Sequence, residues 1–231
     1  MERNMISTRH MLAMAAVAAL AGGPLCAFAN TGTVTHVAGT LSAKKPDGTT
    51  RVLTPRAEVG SGDTISTERE SHAQIRFADG GQMTLKPNTS LKIESFGFAK
   101  DKPKEDSFVS SLLKGGLRIV TGIVGSRNRN KVSVGTATAT IGIRGTTFVA
   151  HDCLASECGQ LKPAVYVGVS NGSIVLTNPA GQLRLAAGQF GIIEKGQPPR
   201  VTPNPGLSIA PPQAFSRPPG PGTKPAECVV R

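Results

Sequence analysis

The chain has no tryptophan and one tyrosine in 231 residues. With so few aromatics there is no surface of interleaved rings on which nucleic-acid bases could stack. Cysteines number four: Cys26, Cys153, Cys158 and Cys228. A structural zinc centre wants four ligands. The pair Cys153 and Cys158 offers two, with His151 and Asp152 beside it, so no metal is assigned. Acidic residues are scarce, 15 against 26 Lys and Arg, for a formal charge of +11. The first 29 residues hold Glu2, Arg3 and Arg9, which leaves +10 for the rest. A basic balance favours encounters with polyanions, but it also keeps a protein soluble and says nothing of fold or site. After Leu25 no long apolar run occurs, so no membrane span is expected in the remainder.

Glycine and proline are abundant, 27 and 17 residues, and the apolar share of 39% is enough for a core. That combination argues against global disorder. It also argues against a helix-rich domain and for many short strands punctuated by turns.

The N-terminus has three parts. Arg3, Arg9 and His10 form a basic region, Met11 to Leu25 an apolar one, and Ala27-Phe28-Ala29 a stretch with small residues at the −3 and −1 positions. This is the pattern of a secretory signal, with cleavage expected after Ala29 and a periplasmic location for the product. Leu25 before Cys26 departs from a lipoprotein signal. Cys153 and Cys158, with four residues between them, suit a disulfide across a short loop in that oxidising compartment. Cys228 is left as a spare thiol.

Along the expected mature chain, apolar residues alternate in short runs. Ala73, Ile75 and Phe77 alternate with polar neighbours, Asp79-Gly80-Gly81 turns the chain, and Met83 and Leu85 resume, which predicts a hairpin. Residues 97–107 are a mixed-charge, solvated loop between two halves, about 30–98 and 108–196. Leu112 to Val120 around Lys114-Gly115-Gly116 reads as strand, turn, strand. Val165, Val167 and Val169, then Ser170-Asn171-Gly172, then Ile174 and Leu176 read as a second hairpin. From residue 197 onward proline dominates, and a disordered tail is expected. The fold class is therefore all-β, with stacked, solenoid-like sheets or a sandwich, and the regular turns favour the elongated version.

Few residues carry chemistry. Gly168-Val169-Ser170-Asn171-Gly172 spells a nucleophile motif, but that motif needs a helix after the serine and strand follows here, so no catalytic residue is assigned. Gly142-Ile143-Arg144-Gly145-Thr146 could cradle an anion through backbone N–H groups and Arg144. A bend or bulge at Gly145 is the simpler reading. Arg127, Arg129 and Lys131 form a basic cluster that could meet phosphates, or a solvated loop. The candidate binding residues are thus Arg144, Gly145, Thr146, Arg127, Arg129 and Lys131, with no cofactor.

Gly62-Asp63-Thr64-Ile65-Ser66-Thr67 and the hairpin at Phe77-Ala78-Asp79-Gly80-Gly81 resemble the first half of the FecR-like domain family. Lys114-Gly115-Gly116-Leu117-Arg118 and Ile141-Gly142-Ile143-Arg144-Gly145-Thr146-Thr147-Phe148 resemble its second half. The resemblance covers roughly residues 32–195. Well-known relatives place this domain in the periplasm, behind a cytoplasmic anti-sigma segment and one membrane helix, where it receives a signal from an outer-membrane receptor. Neither of those segments is read here, so direct sigma-factor control is not expected. The resemblance implies a periplasmic, non-enzymatic binding or interaction module. Its expected partner is an envelope protein or a cell-wall polymer, not nucleic acid. A structural protein that binds cell wall or anionic glycans is the second reading and an exported hydrolase the third.

Overall fold

Where apolar and polar residues alternate, the chain is extended. Eight strands precede the charged loop: β1 (Thr31–Ala38), β2 (Leu41–Lys44), β3 (Thr50–Val52), β4 (Glu58–Gly60), β5 (Thr64–Thr67), β6 (His72–Phe77), β7 (Gln82–Leu85) and β8 (Ser90–Gly97). Seven follow it: β9 (Ser107–Val120), β10 (Val132–Gly135), β11 (Thr140–Asp152), β12 (Val165–Asn178), β13 (Gly181–Ala186), β14 (Phe190–Ile193) and β15 (Arg200–Thr202). One short α-helix, α1 (Ile123–Arg127), joins β9 to β10. The computed structural model describes residues 31–153 and 158–210. The export signal with its cleavage position, Cys26, Cys228 and residues 211–231 lie outside the described residues. The all-β expectation is met.

The strands build two ladders. One runs β4, β1, β6, β7, the second half of β9, the second half of β11, the first half of β12, β14 and β15. The other runs β3, β2, β5, β8, the first half of β9, β10, the first half of β11, the second half of β12 and β13. Nine segments at the usual strand spacing make each ladder about 40 Å wide. Neither ladder closes on itself among the described residues. The two ladders are open at their edges, and β9, β11 and β12 join them into one continuous sheet.

Three long strands, β9, β11 and β12, run through both ladders and turn a corner between them. Gly115, Gly145 and Gly172 mark those corners, with φ of +82°, +63° and +76°. At Gly115 a Cβ would lie 2.6 Å from the Asn88 carbonyl oxygen and Thr89 Cα; at Gly172 it would lie 2.4 Å from the Gly145 carbonyl oxygen. Both positions therefore demand glycine for conformation and for space. This corrects two expectations. Lys114-Gly115-Gly116 is not a turn, and Ser170-Asn171-Gly172 is not the loop of a hairpin. Residues on both sides of Gly172 pair with β11 and not with each other. A glycine at positive φ serves a reversal or a corner equally well, and side-chain alternation resumes after either.

The inward faces of the ladders share one core. Phe77 of the first ladder packs against Phe96 and Phe108 of the second, ring centroids 4.9 and 5.1 Å apart. Leu41, Ile65, Ile75, Leu91, Leu117, Ile141 and Phe148 have no exposed surface, each worth about 1.5–3 kcal/mol of burial. A smaller cluster sits on the outward face of the first ladder. There Val149, Tyr166 and Ile192 are covered by Leu207, Ile209 and the residues near Cys153 and Cys158. Leu207 and Ile209 of the proline-rich segment thus pack on the sheet. β15 pairs with β14, and Asn204 Oδ1 accepts the amide protons of Gly206 and Leu207. Proline lacks a donor, but Arg200 to Thr202 contain none, so that stretch joins the ladder edge.

Candidate functional site

The candidate triplet Arg144-Gly145-Thr146 sits where β11 turns its corner. Thr146 is buried. Its hydroxyl donates to the Ser173 carbonyl at 2.7 Å, and its amide donates to Thr121 Oγ1 at 2.6 Å. Gly145 lies at a register shift in the pairing with β12. The Thr146 amide, one of the groups that would cradle an anion, is engaged in holding the corner. Arg144 is exposed and forms no ion pair among the described residues.

The second candidate cluster is split. Arg127 ends α1, and its Nε stands 3.4 Å from Asp106 Oδ2. Its Nη2 donates to both the Ala99 and Lys100 carbonyls, and its guanidinium lies 5.6 Å from the centre of the Phe98 ring. Asn128 donates to the Asp106 carbonyl at 2.8 Å and Lys131 to the Lys104 carbonyl. Residues 100–105 are solvated as expected, but Asp106 is fully buried and anchors the loop. Arg127 and Lys131 therefore close a corner of the fold; Arg129 remains exposed.

Asp79, from the glycine-rich hairpin turn, completes this corner. Its Oδ1 accepts the Gly81 amide and its Oδ2 the Val124 amide at the start of α1. Gly122 allows the approach, since a Cβ there would lie 2.5 Å from Asp79 Cγ. Burial pushes the Asp79 carboxyl above its usual range, against the pull of those amides, and the charge of Asp106 adds to the rise.

Ser170 lies inside β12 and its Oγ donates to the Thr147 carbonyl at 3.1 Å. The chain is strand on both sides of it. Cys153 and Cys158 have their Sγ atoms 2.00 Å apart. With His151 they form a group whose donor atoms all lie within 4.8 Å of one another.

A different set of residues assembles on the outward face of the first ladder, beside the small apolar cluster. Lys86 follows β7 and donates its amide to the Gly116 carbonyl, and Gly116 stands opposite His151. One row away, Thr84 faces Arg118, which faces Val149. A cavity of about 280 Å³ is lined by His72, Thr84, Lys86, Arg118 and Ser208 among others. A neighbouring one of about 330 Å³ is lined by Lys86, Asn88, Lys114, His151, Asp152 and Cys158 among others. Burial lowers the pKa of Lys86 and of Arg118. Burial and then the charge of Lys86 lower those of His72 and His151, the latter to about 4. In the sequence His151, Asp152 and Cys158 stood out only around the cysteine pair, Lys114 and Arg118 only within the family-like motif, and His72, Thr84, Lys86 and Ser208 not at all. The available signal was a lone cation at an outward position between core residues, as Arg118 lies between Leu117 and Ile119.

The ladders end in open edges. β3, β4 and β15 are three residues each, whereas β13 has six and pairs with β12 on one side only. Gln182, Arg184 and Ala186 are exposed along it.

Residues 63–175 match the sequence profile of the FecR protein family. Among curated proteins none matches the chain. Two crystal structures of a candidate anti-sigma factor from Parabacteroides distasonis, at 1.65 and 2.50 Å resolution, align at a TM-score of 0.44. They are 16% and 17% identical, over 60% of this chain and 58% of theirs. The chain thus spans less than two thirds of those proteins.

Proposed function

We propose that this chain, which carries a FecR domain over residues 63–175, is an exported, non-catalytic sensing module that binds an extended segment of a partner protein along β13. The observation that carries the reading is the edge itself. Protective sheet edges are short, charged or covered. Three of the four ladder ends follow that rule by length, while β13 offers six residues with one side unpaired among those described. Such an edge accepts a further strand through main-chain hydrogen bonds, with alternate side chains setting specificity. Arg184, exposed on this edge, suits a segment with an acidic residue.

Export follows from the three-part N-terminus, and no helix among the described residues is long and apolar enough to cross a membrane. In an oxidising compartment Cys153 and Cys158 are joined as a disulfide. Ser170, with its hydroxyl used on a backbone carbonyl, supports a binding role over a hydrolytic one.

The test is photo-crosslinking in cells that export the protein. A photoreactive residue in place of Gln182 gives one defined adduct in the periplasmic fraction, and the same residue in place of Thr50, on β3, gives none. Adducts at both positions, or at neither, would sink the proposal.

A further inference from the structure

The cations on the outward face of the first ladder lack what the cations at the α1 corner have. Neither Lys86 nor Arg118 forms an ion pair among the described residues. Arg118 donates through Nε to the Ile209 carbonyl at 3.2 Å, and that bond holds residues 208–210 against one side of the cavity. Its two terminal nitrogens have no protein partner among the described residues. Gly116 lets the Lys86 and His151 side chains close over it: a Cβ there would lie 3.0 Å from Lys86 Cδ and 3.0 Å from His151 Cδ2. Partly buried positive charge without a counter-ion costs stability. Retaining two such groups around one cavity is understandable where an anion completes the site.

We infer that the cavity between Lys86 and Arg118 binds a phosphoryl group, with the Arg118 fork and the Lys86 ammonium taking its oxygens and the Thr84 and Ser208 hydroxyls beside them. A guanidinium matches phosphate oxygens two at a time, and an ammonium adds a point charge. Donors that converge from a strand, a strand end and a covering segment suit a tetrahedral anion better than a flat carboxylate. The neighbouring cavity shares Lys86 and contains Asp152, which would repel a second anion, so one phosphoryl group is expected. The site lies on a sheet face, apart from the β13 edge, and does not depend on the strand-addition reading.

Two sources carry this chemistry, a free phosphate ester and a phospholipid headgroup, and two probes separate them. Purified protein is titrated calorimetrically with glycerol 1-phosphate, and separately sedimented with phosphatidylglycerol vesicles against phosphatidylcholine vesicles. Saturable binding of the ester assigns the free source. Selective sedimentation with phosphatidylglycerol, without ester binding, assigns the headgroup. In either case Lys86→Gln and Arg118→Gln each weaken binding by about tenfold or more, and Arg118→Lys weakens it less. Lys45→Gln, a change in the turn between β2 and β3, stays within about twofold. Thermal unfolding of each variant shows whether it folds, and Arg118→Lys keeps the question decidable if a neutral variant does not. Binding by neither probe overturns the inference. So does equal loss on Lys45→Gln, which would mean general surface charge.

Discussion

The protein holds two groups of basic side chains in opposite circumstances. At the α1 corner Arg127 meets a fully buried carboxylate, two carbonyls and a ring. On the outward face of the first ladder, Lys86 and Arg118 border cavities with no ion-pair partner among the described residues. The first group is contiguous in sequence and looks like a site; the second is scattered over 33 residues and does not. Density of charge along the chain measures neither. What decides is whether the fold supplies carboxylates and carbonyls to the cation, and here Arg127 and Lys131 of the contiguous group are the satisfied ones.

The sharpest way to break this comparison is to remove the satisfied cation. Arg127→Met leaves Asp106 buried with its charge uncompensated. Breaking a buried pair in this way costs about 3 kcal/mol, read as a lower urea midpoint. Asp106→Asn keeps the acceptor for the Ala99 amide and removes the charge, so it is expected to cost less. If Arg127→Met unfolds at the wild-type midpoint, the corner is not held as described.

A smaller effect is expected beside the neighbouring cavity, which Cys158 lines. If Cys153 and Cys158 are oxidised, closing a loop of this length contributes about 2 kcal/mol through the unfolded state. Replacing both by serine should lower stability by that amount, and reductant should do the same to the wild type. A wild-type protein indifferent to reductant would show that the pair is not bonded.

The third effect depends on pH. His151 has a folded pKa of about 4 against an ordinary 6.5, so between those values the unfolded chain binds more protons. Stability therefore falls as pH drops from about 7 towards 4. His72, shifted in the same direction, adds to this fall. Partial exposure screens the His151 contribution to about 1–2 kcal/mol. Asp79, whose carboxyl is raised, acts in the opposite sense: its ionised form costs stability, and that cost is relieved on acidification. Comparing His151→Asn with the wild type at pH 7.5 and 4.5 isolates the histidine. An unchanged difference between the two pH values would mean that His151 is not held neutral.

The fold was largely legible because alternation is local. The pattern Ala73, Ile75, Phe77, turn, Met83, Leu85 predicts a hairpin and the registers Ala73 with Leu85 and Ile75 with Met83 follow. The corners were not legible. Gly115 and Gly172 carry strands from one ladder to the other, and only the distant partners of each half, β8 and β7 for β9, reveal it. The same limit hid the roles of the cations. Arg127 meets Asp106 from 21 residues away, and Lys86 reaches His151 across Gly116 from two strands away. An outward-facing lone cation in a core-forming run, as at Arg118, is a local signal of the second case. It is weak because most such residues are simply solvated.

The smallest effect has an unusual sign. Burial lowers the pKa of Lys86 with no carboxylate opposing it, so at neutral pH its ammonium costs the folded state. Lys86→Met keeps most of the aliphatic stem and removes the charge. After allowance for solvent screening the gain is about 1 kcal/mol or less, a rise of about 2 °C in Tm for a domain of this size. The matching change at the other group, Arg127→Met, moves stability the opposite way and by more. A pair of isosteric replacements with opposite signs separates a cation the fold needs from one it carries at a cost. If Lys86→Met also destabilises, Lys86 has a partner within the protein and the two groups are alike.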